Sequence, residues 1–165
     1  MKPVDRPEFW KERIDGAVKE HYSVYISSDN LWKDIEKCHK EIIEKEIPKG
    51  SKVLDAGCGY GRLSEWFDNY TGVDFSPDFI ARAEMKYPDK KFVQADLKKL
   101  PFKDREFDFA ICVSIKNMII GNLGTVEWWK MEKELKRVAH KVLILEYGDY
   151  ERNGGLVKAK KYEIL

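Results

Sequence analysis

Cysteine, histidine, net charge and long apolar runs are all scarce in this sequence, and each scarcity removes a class of protein. The three cysteines, Cys38, Cys58 and Cys112, are odd in number and widely spaced, which fits neither a disulfide framework nor a zinc pattern. A reducing compartment, the cytoplasm, is expected, with no metal site. His21, His39 and His140 are the only histidines, so few imidazoles are on hand for acid–base work. The longest apolar runs, around 109–113 and 142–145, have the length of strands, and none follows Met1 closely. Neither a membrane span nor a targeting segment is expected. Thirty Lys and Arg against 29 Asp and Glu leave a net charge of only +1 in a chain that is 36% charged. No global field therefore draws in nucleic acid or an anionic membrane, and neither is expected as a partner. Internal repeats and low-complexity stretches are absent as well.

What the chain has is a change of rhythm. Its 165 residues suffice for one compact domain with a sizeable core and are too few for two of ordinary size. A single domain over 1–165 is expected, with a helical leader or lid at 1–50, a cofactor-binding core at 51–147 and a short tail or strand at 148–165. In the leader, Pro7 suits a first helical position and Trp10, Ile14, Ala17 and Val18 follow at helical spacing. A second helix is capped by Ser28 or Asp29. It carries the stripe Leu31, Ile35, Cys38, Ile42 and Ile43, and stops before Pro48 and Gly50. From Lys52 onward short apolar strands, at 52–56, 70–74, 91–95, 107–113 and 141–147, alternate with helical segments. Ser76-Pro77 opens one helix through about Tyr87, and another spans about Thr125 to Ala139, with Trp128, Met131, Leu135 and Val138 on one face. The alternation predicts an α/β fold, a Rossmann-like doubly wound and mostly parallel sheet with helices on both faces.

The most informative segment is Val53-Leu54-Asp55-Ala56-Gly57-Cys58-Gly59-Tyr60-Gly61, an apolar strand that runs into three alternate glycines and then an apparent helix. Glycine there permits positive φ and close approach of a ligand to the backbone. In an open parallel sheet the ligand crevice lies beyond the carboxyl ends of the strands, where this turn falls. A nicotinamide dinucleotide competes for the same kind of turn. However, the third glycine of G-x-G-x-x-G would fall at Arg62, and Asp55 sets beside the turn a carboxylate that repels a pyrophosphate but suits an ammonium or sulfonium. A P-loop is excluded, because no Gly-Lys-Ser or Gly-Lys-Thr follows. A glycine turn without any ligand remains the bland alternative.

Two later acids stand at the same edge. Asp74 ends the second strand, in Thr71-Gly72-Val73-Asp74-Phe75, where a carboxylate can accept from both hydroxyls of a ribose. Ser76 already caps the next helix, so Asp74 is free for that role, and Phe75 can pack on an adenine face. Asp96, in Phe92-Val93-Gln94-Ala95-Asp96-Leu97, can accept from an adenine amino group with Leu97 against the ring. Acids after three successive strands are less easily accidental than one.

This set resembles the class I S-adenosylmethionine-dependent methyltransferases, particularly the small-molecule group, over about Lys52 to Tyr147. Asp55-x-Gly57-x-Gly59-x-Gly61 is the most specific part of the likeness. The resemblance implies S-adenosylmethionine as cofactor and S-adenosylhomocysteine as product. It places Asp55, Gly57 and Gly59 around the methionine moiety, Asp74 at the ribose and Asp96 at the adenine, with Cys58, Gly61, Phe75, Leu97 and Ser114 as further cofactor-binding residues. Leu100-Pro101-Phe102 and Phe107-Asp108-Phe109-Ala110 look like the family's approach to its fourth strand. Ser114 and Ile115 then stand where that strand's end reaches the cofactor and the transferred methyl.

The acceptor is less legible. Methyl transfer from a sulfonium is an in-line displacement that positioning and water exclusion can drive without a dedicated catalytic residue. His21 is the one histidine expected to reach the cleft, His140 reads as structural, and His39 falls on the expected solvent side of its helix. The family often has a histidine after the fourth strand, where this chain has Lys116-Asn117-Met118; Asn117 or Lys116 would instead orient an acceptor. Trp10, Tyr22, Tyr25 and Trp32 form the expected lid. Only Gly148 to Leu165 follow the fifth strand, in which Leu156 to Leu165 can add one strand. An exposed sheet edge or a partner, such as a second copy in a homodimer, is expected there. A small-molecule methyltransferase is the leading function. A protein or nucleic-acid methyltransferase is the alternative within enzymes, although no Asn-Pro-Pro-Tyr, Asp-Pro-Pro-Tyr or Pro-Cys is present for base chemistry. A non-catalytic module that binds S-adenosylmethionine and supports a partner is the alternative outside them.

Overall fold

Five short apolar runs pair as parallel strands, β1 (Lys52–Ala56), β2 (Asn69–Asp74), β3 (Lys91–Gln94), β4 (Phe107–Val113) and β5 (Ala139–Leu145). The structure is a computed structural model and describes residues 6–16, 29–146, 150–153, 156–159 and 162–165. Two further strands, β6 (Tyr150–Asn153) and β7 (Leu156–Ala159), form a separate antiparallel hairpin, and β8 (Tyr162–Ile164) pairs antiparallel with β5. The order in the main sheet is β3-β2-β1-β4-β5-β8. Strand order reverses between β1 and β4, which puts a ligand crevice at their carboxyl ends. The short tail led to the expectation of an open β5 edge and a partner chain; β8 fills that edge, which removes the motive for the partner.

Alternation along the strands sorts side chains to two faces. Leu54, Ala56, Val73, Ala110, Cys112 and Ile144 pack under α4 (Lys116–Leu123) and α5 (Thr125–Val138), with Trp128, Met131, Leu135 and Val138 buried as their spacing predicts. Val53, Tyr70, Phe109, Ile111 and Leu143 pack against α2 (Asp29–Glu46) and α3 (Pro77–Lys86). Helix α1 (Pro7–Gly16) lies on α3, where Phe9, Trp10 and Ile14 meet Phe79 and Tyr60. Each fully buried Leu, Val or Ile in these layers stabilises the fold by roughly 1.5–3 kcal/mol. Ser76 caps α3, its hydroxyl accepting from the Phe79 amide at 3.5 Å with Pro77 in the first turn.

Three local features differ from the expectation. The helix expected after the glycine turn is a single 3-10 turn at Ser64–Trp66. Glycines 57, 59 and 61, all at positive φ, consume the start of the connection, and too little chain remains before Asn69 for an α-helix. Helix α4 was not anticipated; it is stopped by Gly124 at φ +93, whose amide donates to the Ile119 and Ile120 carbonyls. His39 is fully buried, not solvent-facing. It lies four residues after Ile35 and four before Ile43, on the apolar stripe itself. Its Nδ1 accepts from Arg62 Nη2 at 3.0 Å, and burial followed by the Arg62 charge pushes its pKa well below the usual value, leaving it neutral. Ala17, Val18 and Ser28 lie outside the described residues.

Gly72 stands opposite Asp55 in the β1–β2 register. A Cβ there would come within 2.7 Å of the Phe92 ring, 2.9 Å of Cys58 Sγ and 2.9 Å of the Tyr70 hydroxyl. Gly72→Ala is expected to destabilise the fold by about 1–3 kcal/mol through overpacking. A urea midpoint equal to that of the parent would contradict this packing.

Candidate functional site

The sheet edge built by β1, β2, β3 and β4 opens onto a cavity of about 210 Å³. Its polar lining comes from Gly57, Gly59, Asp74, Asp96 and Lys98, and its apolar lining from Leu97, Phe75 and Phe79, from Trp10 of α1, from Ile115, Met118 and Ile119, and from Met131 of α5. Six of the ten expected cofactor residues thus meet at one cavity: Gly57, Gly59, Asp74, Phe75, Asp96 and Leu97. Of the residues expected in a lid, Trp10 lines this cavity. Trp32 does not; it is buried under the Arg62 guanidinium, 5.1 Å from its ring centroid.

The turn holds itself in shape. The Gly57 and Cys58 amides both donate to the Val73 carbonyl, at 2.8 and 2.9 Å, and the Gly59 amide donates to Asp74 Oδ2 at 3.0 Å. Asp74 Oδ1 accepts from the Ser76 amide at 2.9 Å. One carboxylate therefore latches the glycine turn of β1 to the end of β2, and each of its oxygens keeps acceptor capacity for something more. Burial pushes the Asp74 carboxyl up to about 6, although the Ser76, Gly59 and Phe75 amides pull the other way. A Cβ on Gly57 would strike Ile115 Cδ1 at 2.7 Å, whereas one on Gly59 would project into open space. Gly57 is thus required by packing, and Gly59 leaves bare backbone beside the cavity.

Asp55, Cys58, Gly61 and Ser114 do not line the cavity. Asp55 sits on the same strand face as Val53 and is 3% exposed; its Oδ2 accepts from the Tyr70 hydroxyl at 2.7 Å. Burial raises its carboxyl to about 6, against the opposing pull of Tyr70 and Arg62. Strand alternation turns this side chain behind the turn, off the cavity wall. Cys58 is buried, with its thiol donating to the Gly59 carbonyl at 3.6 Å and its pKa pushed well up by burial. Gly61 backs onto Phe92, whose ring a Cβ would meet at 2.8 Å. Ser114 ends β4 at φ +60, its amide donating to Leu145 at 2.7 Å, and its hydroxyl is buried without a partner among the described residues. Asn117 is exposed on the first turn of α4 and away from the cavity. His21, Tyr22 and Tyr25 lie outside the described residues, and His140 is exposed within β5.

Sequence reasoning missed Tyr70, the partner of Asp55, and Glu146, which is 6% exposed just beyond β5 and accepts from the Lys116 amide at 2.7 Å. A signal for Glu146 existed: it is a further acid at a strand's carboxyl end. Among the described residues no group of three His, Cys, Asp or Glu could hold a metal ion, and no helix is long and apolar enough to cross a membrane.

A parallel sheet ordered 3-2-1-4-5, a glycine turn after β1 and an acid latched to it from β2 define a Rossmann-like domain of the class I methyltransferase type. Residues 54–143, more than half of the chain, match the methyltransferase domain family, and the chain belongs to it. Proteins of this family depend on S-adenosylmethionine. The demethylmenaquinone methyltransferase of Chlorobaculum tepidum is 34% identical over 89 residues, covering 50% of this chain and 36% of that protein. The ubiquinone/menaquinone biosynthesis C-methyltransferase UbiE of Campylobacter jejuni is 25% identical over 152 residues, covering 83% and 61%. Among solved structures, the PH0226 protein of Pyrococcus horikoshii OT3 is 28% identical with a TM-score of 0.61, covering 78% of this chain and 66% of that one. The chain spans about half the length of the curated relatives it matches.

Proposed function

We propose that this chain binds S-adenosylmethionine in the cavity beside the glycine turn and transfers its methyl group to a small, largely apolar acceptor. The carrying observation is the convergence of Gly57, Gly59, Asp74, Asp96 and Leu97 on one cavity whose remaining walls, Lys98 apart, are apolar. The residues fit the cofactor. Gly59 offers backbone with open space where a side chain would stand, Asp74 keeps acceptor capacity suited to a ribose diol, and Asp96 with Leu97 offers a polar edge and an apolar face to an adenine. When bound, the cofactor supplies an electrophilic methyl on a sulfonium, the group that an acceptor attacks in line.

The chain's own contribution is to orient and to keep out water. Trp10, Phe75, Phe79 and Met118 enclose the cavity in apolar surface, which favours an acceptor that is itself apolar. The titratable groups on the wall are Asp74, Asp96 and Lys98. Asp74 is committed to the turn, and Lys98 is paired with Glu127 at 3.1 Å and Asp96 at 3.6 Å. An acceptor that is already nucleophilic, or whose proton leaves easily, suits this wall better than one needing a strong base. The two relatives named for quinone biosynthesis support a small, apolar, electron-rich carbon acceptor. The test is to incubate the protein with methyl-labelled S-adenosylmethionine and a panel of quinols, phenols, peptides and RNA. Label should pass to the small aromatic compounds. Label in peptide or RNA alone would refute the acceptor class, and tight binding of S-adenosylhomocysteine without any transfer would favour the non-catalytic module.

A further inference from the structure

Helix α4 begins where β4 ends, and its N-cap position is Ile115, a residue with no side-chain oxygen to receive the first free amides. The Glu146 carboxylate supplies that oxygen from the neighbouring strand, accepting from the Lys116 amide at 2.7 Å. A second tie lies beside it, the Ser114 amide donating to the Leu145 carbonyl at 2.7 Å. Negative charge at a helix N-terminus is favoured by the helix dipole, and a carboxylate makes a stronger hydrogen bond than a neutral acceptor. The rest of the helix is held by apolar packing, with Ile119 buried and Met118, Ile120 and Leu123 half-buried against the core, while Gly121 lies exposed and Gly124 ends it.

The first turn of α4 matters because it is a wall of the cavity, through Ile115, Met118 and Ile119. Ile115 also sets the clearance to the glycine turn, since its Cδ1 lies where a Cβ on Gly57 would collide. A shift of that turn of helix would change the space beside Gly57 directly. We propose that Glu146 is a positioning residue for the site: it caps α4 from the end of β5 and so holds Ile115 against Gly57 and fixes the wall beside the fourth strand. Its role in methyl transfer rests on the cofactor reading above.

The experiment compares Glu146→Gln, Glu146→Asp and Glu146→Ala with the parent by amide hydrogen exchange and by calorimetry with S-adenosylhomocysteine. Gln keeps an oxygen at the same reach, Asp keeps the charge but withdraws it by one methylene, and Ala removes both. Exchange of the Lys116 amide should accelerate roughly tenfold or more in Asp and Ala, the worth of one charge-assisted hydrogen bond, and much less in Gln. The dissociation constant should rise roughly three- to tenfold in Asp and Ala and stay within about twofold in Gln, since only the first two let the wall move. Should the Ala variant fail to fold, the Asp variant carries the comparison. Unchanged exchange in both would overturn the cap, and accelerated exchange with unchanged affinity would overturn the positioning role. If the parent itself does not bind, the cofactor reading fails instead, while the exchange arm still upholds or removes the cap.

Discussion

Asp74→Ala is expected to weaken S-adenosylhomocysteine binding by about a hundredfold or more while leaving the protein folded. The carboxylate has two jobs that the substitution separates. Toward the protein it receives the Gly59 and Ser76 amides at 3.0 and 2.9 Å, and losing a buried acceptor costs about 1–3 kcal/mol for each amide left bare. Against that, removing a desolvated carboxylate whose pKa is raised to about 6 recovers part of the cost at neutral pH. The two terms oppose each other, so thermal stability should move by only a few degrees. Toward the ligand nothing compensates. Two hydrogen bonds from a diol to one carboxylate are together worth about 3 kcal/mol or more, which is about a hundredfold in dissociation constant, and the unlatched Gly59 backbone no longer holds its place beside the cavity. Calorimetry on parent and variant checks this. An affinity within threefold of the parent, with the fold intact, would remove Asp74 from the site.

How far the site could be read beforehand depended on whether the physics was local. Strand runs such as Val53 to Ala56 and Phe107 to Val113 announce themselves because buried parallel strands are apolar on both faces, and Ser76-Pro77 announces a helix start. The cavity residues Gly57, Gly59, Asp74, Asp96 and Leu97 were legible because each stands at or shortly after a strand's carboxyl end, and the parallel topology alone brings those ends together. Asp55 was legible as an acid beside the glycine turn but not as a buried one that stays off the cavity wall. Its orientation follows from alternation along β1, and its partner Tyr70 reaches it across Gly72, a position whose missing side chain only the register reveals. His39 was misplaced although it falls between Ile35 and Ile43 on the buried face, because its partner Arg62 comes from outside the helix and leaves no local signal. Helix α4 escaped notice because its cap is supplied by Glu146, thirty residues away in sequence. A cap contributed by another strand leaves no local signature.

Binding of S-adenosylhomocysteine is expected to tighten as pH rises from 5 to 7, and the unliganded fold is expected to lose stability over the same range. Asp55 and Asp74 are both raised by burial from 3.8 to about 6. A carboxyl whose folded pKa lies above its unfolded one contributes stability that is fully present below about 3.8 and is lost as pH rises through about 6, by as much as about 3 kcal/mol for each group. The half-buried acids Glu127 and Glu134 act oppositely and lower down, because hydrogen bonds from Lys130 and Arg137 hold them below their usual range. Their stabilisation is in place above the ordinary value of 4.5 and is lost as pH falls below it, so it does not cancel the trend above pH 5. A ligand that donates hydroxyls to Asp74 and brings an ammonium into the field of Asp55 binds the ionised forms, and binding must then expel whatever protons the free protein holds. With a free pKa of about 6, one carboxylate alone makes the affinity at pH 7 about tenfold that at pH 5, and the two titrating as a pair make it up to about a hundredfold. Calorimetry in buffers of different ionisation enthalpy should show proton release near pH 5.5 and none near pH 8. Asp74→Asn should flatten most of the slope, since Asp74 borders the cavity and Asp55 does not. An affinity that is level between pH 5 and 7, or one that falls, would mean that neither buried carboxylate is answering to the ligand.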